Sequence, residues 1–315
     1  MTPRMLQRFE YSGLLGINGR NADYIMQCNP RPAYPLVDNK VLTKRLAAEH
    51  GIGVPFLYQL VEYHGDLKNI REKLKGRQSF VVKPARGWGG GGILLVTERI
   101  SDNLFDQNGE LIPWPVFNHH LANILSGVYS LGGLEDQVLI EELVHPDPVF
   151  APITYEGIPD IRIIVYRGIP AMAMLRLPTL ASNGKANLHR GAIGAGIEIS
   201  TGLTLTAVQN TMIISRHPDT GHPVSGIQVP CWEQMLRTAA SLGDIVGLGY
   251  IGVDLLLDRQ RGPLLLEINA RPGLSIQIAN MCGLKKRLEL IDLAPAEIFN
   301  TPETRVKWAL TSFPC

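Results

Sequence analysis

Two acids stand where an apolar strand pattern has little room for them. Asp254 sits among Val253, Leu255, Leu256 and Leu257, and Glu267 and Asn269 interrupt the apolar run 262–268 just before Ala270, Arg271, Pro272 and Gly273. Strand side chains alternate between faces, so Glu267 and Asn269 point the same way, and a four-residue loop at 259–262 places Asp254 opposite Glu267. Like charges directly opposed are unfavourable without a cation. Two carboxylates and an amide oxygen are hard ligands suited to Mg2+, with phosphate oxygens completing the octahedron. Asp254, Glu267 and Asn269 are therefore candidate metal ligands, the alternative being a pair of acids at solvated strand ends.

A second feature is a run of five glycines among six residues, Gly87, Gly89, Gly90, Gly91 and Gly92 around Trp88, with Lys83 shortly before it. Glycines let backbone N–H groups approach a polyphosphate closely, and Lys83 adds a point charge. The run does not end in Gly-Lys-Ser/Thr and leads into a strand, so it is neither a P-loop nor a dinucleotide fingerprint, both of which use a helix N-terminus. A flexible turn accounts for the glycines equally well, and Trp88 either closes over a ligand or packs. Residues 184–191 form a polar, basic loop with little to bury. With Arg162 and Arg176 from adjacent strands, Asn187 and Arg190 in this loop offer donors that could stabilise a transferring phosphoryl group, although each alone reads equally as a surface residue. His217 and His222 are spaced like metal ligands but enclose Pro218 and Gly221, and so read as a turn.

These side chains require elements to position them. A helix is expected over 39–49 with Asp38 as N-cap, ended by Gly51 and Pro55. Strands at 79–83 and 93–97 flank the glycine run as a hairpin. Phe117, Leu121, Ile124, Leu125 and Val128 mark an amphipathic helix over 116–131, and Trp232, Met235, Leu236, Ala239 and Val246 another over 232–246. Strands are expected at 138–142, 160–166 and 171–176, the last two joined by a turn at 167–170, and at 251–257 and 263–269. Mixed elements without strict βαβ alternation give an α+β class. Pro30, Pro32 and Pro35 make the first 37 residues an arm lying on the body.

Composition narrows the function. The chain has 315 residues, 45% of them hydrophobic, with 30 Lys+Arg against 29 Asp+Glu. That excludes disorder and gives no basic footprint for nucleic acid. Charges and glycines break up 1–20, so no secretory signal is read, and no run is long enough to span a bilayer. Cys28, Cys231, Cys282 and Cys315 show no Cys-x-x-Cys spacing, which fits reduced thiols and a cytoplasmic location.

Taken in order, six motifs resemble the ATP-grasp superfamily, and within it the α-L-glutamate ligase type and the sugar-transfer-associated proteins. They are Asp38-Asn39-Lys40, Phe80-Val81-Val82-Lys83-Pro84 with the glycine loop, Ile140-Glu141-Glu142-Leu143-Val144, Asp160-Ile161-Arg162, Asn187-Leu188-His189-Arg190-Gly191, and the block from Asp254 to Gly273. His217-Pro218-Asp219-Thr220-Gly221 and the Asn269-Ala270-Arg271-Pro272-Gly273 ending lie nearer the sugar-transfer-associated group. The resemblance implies two α+β lobes, 38–145 and 146–283, enclosing ATP, with 284–315 as a tail. It implies Lys40 and Lys83 on the phosphates, the loop of Gly87, Gly89, Gly90 and Gly91 as a lid, and Glu141, Glu142, Leu143 and Val144 as the hinge that meets adenine, with Asp147 as a substitute ribose partner. It also implies two Mg2+ ions, or Mn2+, on Asp254, Glu267 and Asn269. Arg162, Arg176, Asn187, Arg190 and Arg271 would neutralise the transferring group. The activity implied is ADP-forming carboxylate–amine ligation through an acyl phosphate, adding an amino acid such as glutamate to an amino-acid, peptide or protein acceptor. The alternatives are a phosphotransferase on the same fold or a nucleotide-binding module without turnover. Because relatives of the glutamate-ligase type carry a further domain before this unit, a partner protein that completes the acceptor site is an expectation, and an oligomer is compatible with the sequence.

Overall fold

In the computed structural model, residues 13–87, 89–210 and 212–313 are described. They divide into two compact units: one from 39–41 and 54–145, the other from 13–38, 42–53 and 146–313. Helix α1, Lys40–Glu49, begins in the first and continues in the second. Its start is set by Asn39, whose Oδ1 accepts from Val41 N at 2.9 Å, whereas the expected cap Asp38 ends a preceding short helix, Pro35–Asp38.

The smaller unit carries an antiparallel sheet of β1 (Leu57–Val61), β2 (Phe80–Pro84), β3 (Leu94–Val96) and, further along the chain, β7 (Val138–Glu141), in the order β1-β7-β2-β3. A small three-stranded sheet of β4 (Glu98–Ile100), β5 (Asn103–Phe105) and β6 (Leu111–Ile112) comes after β3. Helix α2, Trp114–Leu125, buries Phe117, Leu121, Ile124 and Leu125, and these pack with Phe80, Val82, Val138 and Ile140 in one core. The helix stops before 131 because Gly127 takes φ +79°, where a Cβ would strike the Leu134 carbonyl.

The larger unit is built on a seven-stranded antiparallel sheet. Its strands are β8 (Asp160–Tyr166), β9 (Ile169–Leu177), β10 (Ile193–Ile197), β11 (Thr204–Gln209), β12 (Met212–Ile214), β13 (Tyr250–Asp258) and β14 (Gly262–Asn269), in the order β12-β11-β10-β9-β8-β13-β14. Arg167 and Gly168, at φ +49° and +75°, make the two-residue turn between β8 and β9. Helix α3, Trp232–Val246, has the expected bounds and ends at Gly247 in the left-handed region. Its stripe of Trp232, Met235, Leu236, Ala239 and Val246 is buried, and the helix packs against β8, β9 and β13. Burying each of the larger side chains contributes about 1.5–3 kcal/mol. Helices α4 (Leu284–Asp292) and α5 (Pro302–Ser312) pack against β9, and α5 also against α3.

Candidate functional site

In the smaller unit, strand pairing brings together two of the residues singled out separately in the sequence. Val81 stands opposite Glu141, so Lys83 lies diagonally across from it, and Lys83 Nζ donates to Glu141 Oε2 at 3.1 Å. Glu141 is fully buried and Lys83 nearly so. The Glu141 carboxylate thus faces Lys83. Glu142 accepts at Oε1 from Phe56 N at 2.8 Å and returns its own N–H to Phe56 O, tying the segment after β7 to the residue before β1. Beyond it, Leu143 is half-buried and Val144 buried.

The glycine run forms the β2–β3 turn. Lys40 Nζ donates to Gly87 O at 3.0 Å, and Gly89 and Gly90 take φ of +62° and +73°, values other residues seldom adopt. Gly91 lies in the same turn, and Trp88 falls outside the described residues. Asp136, which the sequence did not flag, holds the base of this turn. Its buried carboxylate accepts from Arg86 N at 3.0 Å and from Ser130 Oγ at 2.6 Å, beside the bridge between Gly87 and Ser130.

In the larger unit the pleat sets a charged row on one face of the sheet. Cross-strand partners are Arg176 with Asp160, Arg162 with Asp254, and Asp254 with Glu267, while Asn269 pairs with Gly252. The register of the two acids is the expected one, reached differently. The turn is tighter, with Asp258 opposite Gly262, and a bulge beside Leu266 restores the match between Asp254 and Glu267.

Arg162 donates Nε to Asp254 Oδ1 at 2.7 Å and Nη2 to Asp254 Oδ2 at 2.5 Å, and its Nη2 stands 3.9 Å from Glu267 Oε1. Arg176 grips Asp160 with Nε and Nη2 and reaches Asp254 Oδ2 from Nη2 at 2.7 Å. Burial pushes both aspartates toward the neutral form, with opposite outcomes. Two guanidiniums overcome it at Asp254 and hold that carboxyl low, at about 2. Asp160 bonds one guanidinium, with Arg162 acting only at a distance and the negative Asp254 nearby, and burial pushes it up to about 6. Arg176 is raised by the acids around it despite its burial.

Asn269 Nδ2 lies 3.3 Å from both Asp254 Oδ2 and Glu267 Oε1, so the three proposed metal ligands are in mutual reach. Glu267 keeps 30% of its side chain exposed. Among the described residues no three His, Cys, Asp or Glu side chains group as a metal site. The donor set here is two carboxylates and an amide, hard oxygens of the type Mg2+ takes when phosphates complete its shell. The set therefore fits the ion in donor chemistry. The repulsion between the two acids, however, is already relieved by Arg162 and Arg176.

A small, partly open cleft lies beside this row, lined by Arg162, Met174, Arg176, Asn187, Leu188 and His189 together with Gly273 and Ser275. Asn187 caps the short turn Leu188–Arg190 by accepting from His189 N at 3.0 Å, and Arg190 is exposed. Arg190 and burial together lower the pKa of Lys185, burial being the larger cause. Arg271 is not brought to the cleft lining, and its guanidinium stacks 4.5 Å over Tyr34. Asp147 caps the turn Pro148–Ile153, its Oδ1 accepting from Val149 N at 2.9 Å. His217 and His222 do bracket a turn, with His217 N donating to His222 O at 2.8 Å. Besides Asp136, Asp160 is the acid whose role sequence reasoning missed, since in the sequence it reads only as part of the Asp160-Ile161-Arg162 motif. Its signal was the alternation that puts it on the Arg162 face of β8.

Cys28, Cys231 and Cys282 are unbonded. Among the described residues no helix is long and apolar enough to cross a membrane.

Comparison with known proteins gives the family. Residues 19–293 match the family described as sugar-transfer associated ATP-grasp. The chain is also similar to proteins named probable alpha-L-glutamate ligase, with 23% identity to that of Aliivibrio fischeri (strain MJ11) and 24% to that of Maridesulfovibrio salexigens, in each case over 75% of this chain. It spans about half the length of these curated relatives, 56% in both cases. Among solved structures, the VanG D-Ala:D-Ser ligase from Enterococcus faecalis aligns with TM-score 0.47 and 13% identity over 83% of this chain and 62% of that one. The D-alanine–D-alanine ligase from Bacillus anthracis, complexed with ATP, aligns with TM-score 0.43 and 15% identity over 90% and 69%. The glycine turn, Lys83 and the acid–amide face of β13 and β14 all lie within the matched span, and the α+β chain belongs to the sugar-transfer associated ATP-grasp family.

Proposed function

We propose that this protein is an ATP- and Mg2+-dependent, ADP-forming carboxylate–amine ligase that adds an amino acid such as glutamate to an amine acceptor. The observation that carries the reading is the row on β9, β8, β13 and β14, where Arg176, Arg162, Asp254, Glu267 and Asn269 share one face beside a cleft. Family membership supports it.

In this reading a substrate carboxylate oxygen attacks the γ-phosphorus of ATP, ADP leaves, and an acyl phosphate forms. The acceptor nitrogen then attacks the acyl carbon, phosphate departs with the C–O electron pair, and the nitrogen loses a proton. Such chemistry needs positioning and charge neutralisation more than covalent help. Asp254, Glu267 and Asn269 would hold Mg2+, which neutralises phosphate charge when bound. Arg162, Arg176 and Asn187 line the cleft where negative charge would develop, and Arg190 adds a cation at its loop. Lys40, Lys83 and the N–H groups of the glycine turn are the proposed phosphate contacts, and the segment from Glu141 to Val144 the adenine contact.

The test is mass spectrometry of products after incubation with Mg2+-ATP and a library of amino acids and peptides. A ligase releases ADP and phosphate only when acid and amine are both present, and yields a product joined with loss of water. A stable phosphorylated product from one substrate alone would assign a phosphotransferase instead.

A further inference from the structure

The segment 13–38 had no readable role in the sequence, yet it runs against the end of the hairpin that carries the proposed metal ligands. Asn29 is the centre of this contact and is 4% exposed. Its Nδ2 donates to Tyr250 O at 2.7 Å and to Ala270 O at 3.2 Å, and its Oδ1 accepts from Tyr250 N at 2.8 Å. Tyr250 opens β13, and Ala270 comes directly after the last residue of β14. The paired register of β13 and β14 ends at Gly252 with Asn269, so the Asn29 amide spans the two strands where their own ladder has stopped.

Further contacts repeat the pattern. Arg20 Nη1 donates to Pro272 O at 2.8 Å, while Asn21 Oδ1 accepts from Arg20 Nε at 3.1 Å and Nη2 at 2.8 Å and so fixes the guanidinium. Tyr34 lies under Arg271. Gly249 N donates to Cys28 O at 2.9 Å, and a Cβ at Gly249 would come within 2.8 Å of Cys28 Cβ, so the approach is close. Leu15 exchanges backbone hydrogen bonds with the Gln277 amide at 2.8 and 3.0 Å, and Gln277 Oε1 also accepts from Leu284 N. Segment 13–38 therefore touches the carbonyls of Ala270 and Pro272 and the side chain of Arg271, three successive residues directly after Asn269.

We infer that segment 13–38 is a strap that sets the position of Asn269 and of the turn 270–273, and that Asn29 and Arg20 are its positioning residues. The inference rests on the proposed metal role of Asp254, Glu267 and Asn269. A ligand on the last residue of a strand has ladder partners on one side only, so its position depends on the backbone beyond it. Beyond Asn269 that backbone receives its donors from the strap. Partners that orient a metal ligand without touching the ion alter affinity by about 10–100-fold when removed.

The experiment uses the full chain, with isothermal titration of ATP at fixed Mg2+ levels and of ATP in EDTA. Asn29→Ala is expected to raise the Mg2+ concentration for half-maximal enhancement of ATP binding by about 10-fold, leaving affinity in EDTA unchanged. Arg20→Ala, at a half-buried site, gives a smaller shift of the same sign and serves should Asn29→Ala fail to fold. Amide exchange without ligand should quicken at Asn269, Ala270, Arg271 and Gly273 in both variants. Equal Mg2+ dependence in a folded variant and the unaltered protein overturns the strap. Equal weakening with and without Mg2+ also overturns it, as a general structural effect. Absence of any Mg2+-dependent ATP binding in the unaltered protein overturns the parent reading instead.

Discussion

Replacing Arg176 by Met tests whether the charged row is held by ionic pairing. Arg176 is the sole guanidinium bonded to Asp160 among the described residues, and one of two bonded to Asp254. The substitution keeps much of the side-chain length and leaves Arg162 alone facing Asp160, Asp254 and Glu267. Removing one partner of a buried pair costs about 3–5 kcal/mol, because the remaining charge stays out of water. That is a large part of the roughly 5–15 kcal/mol by which domains are stable.

The cost should depend on pH, and Asp160 gives the sign. Its folded pKa of about 6 lies above the ordinary aspartate value of 3.8. A carboxyl raised on folding contributes stability that is fully present below its unfolded pKa and is lost as pH rises through the folded value. Without Arg176 the folded value rises further, and this loss extends to higher pH. At pH 8 the full 3–5 kcal/mol is expected. At pH 5 Asp160 takes up a proton and the deficit shrinks to about 1–2 kcal/mol, the scale of lost hydrogen bonds. Adding Asp160→Asn to Arg176→Met should recover about 2 kcal/mol at pH 8, the coupling expected of contacting residues. Urea-dependent amide exchange of β8, β9 and β13 measures this for the larger unit by itself. A deficit below about 1 kcal/mol at pH 8, or one equal at both pH values, refutes the pairing as drawn.

Glu267→Gln removes one proposed metal charge at a part-exposed position, and should weaken Mg2+-dependent ATP binding at least 10-fold and abolish turnover with the fold intact; wild-type Mg2+ dependence by calorimetry contradicts the assignment. Lys83→Ala should weaken ATP binding, but it also removes the cation facing the buried Glu141, at a cost of about 3–5 kcal/mol in stability. Lys83→Met with Glu141→Gln spares the fold, and unchanged nucleotide affinity in that variant refutes the phosphate role. In the intact protein Asp254, held at about 2, contributes stability that is present above its unfolded pKa and lost as pH falls through the folded value. Asp254→Asn should therefore flatten the acid limb between about pH 4 and 2, and Asp160→Asn the opposite slope between about pH 4 and 6; pH-resolved urea unfolding that keeps either slope unchanged rules out that assignment.

Elements with a clear period were legible. Helix α3 and strand β8 have the bounds that their apolar spacing gave: α3 buries one stripe, and β8 is buried along nearly its whole length. Strands β10 to β12 were not foreseen. The Ile193–Ile197 segment alternates with Gly194 and Gly196, residues that weaken a strand signal. Both are needed for packing: a Cβ at Gly194 would come within 2.9 Å of Leu188 Cδ2, and one at Gly196 within 2.6 Å of Ala279 O. The bulge at Leu266 was also unreadable, since no residue type there announces it. Two differences, a shorter turn and one extra residue, cancelled to leave the expected register.

The candidate site shows why a face can be read when its partners cannot. Alternation along β13 and β14 is local and comes from the pleat, so Asp254 and Glu267 could be placed opposite each other from sequence. The guanidinium that answers Asp254 comes from Arg162, 92 positions away, and the second from Arg176, 78 away, with no local signal joining them. Opposed acids demand a cation, and from the sequence alone that cation reads as a metal. In the folded chain two arginines meet the demand at Asp254, which is fully buried, while Glu267 stays 30% exposed with Arg162 at 3.9 Å. A metal is therefore not required for the sheet to hold these acids together. What leaves room for a ligand is a difference in exposure: Asp254 is fully buried, whereas Glu267 and Asn269 keep part of their side chains toward solvent. In the metal reading the arginines and the ion then divide the work, with Arg162 and Arg176 holding Asp254 ionised at any ordinary pH and the part-exposed Glu267 and Asn269 left to meet the ion. On that division Arg162→Met should weaken Mg2+-dependent ATP binding although Arg162 would bond no metal, because removing a cation that orients Asp254 outweighs removing one that repels the ion; tighter Mg2+ binding in the variant would reverse that order.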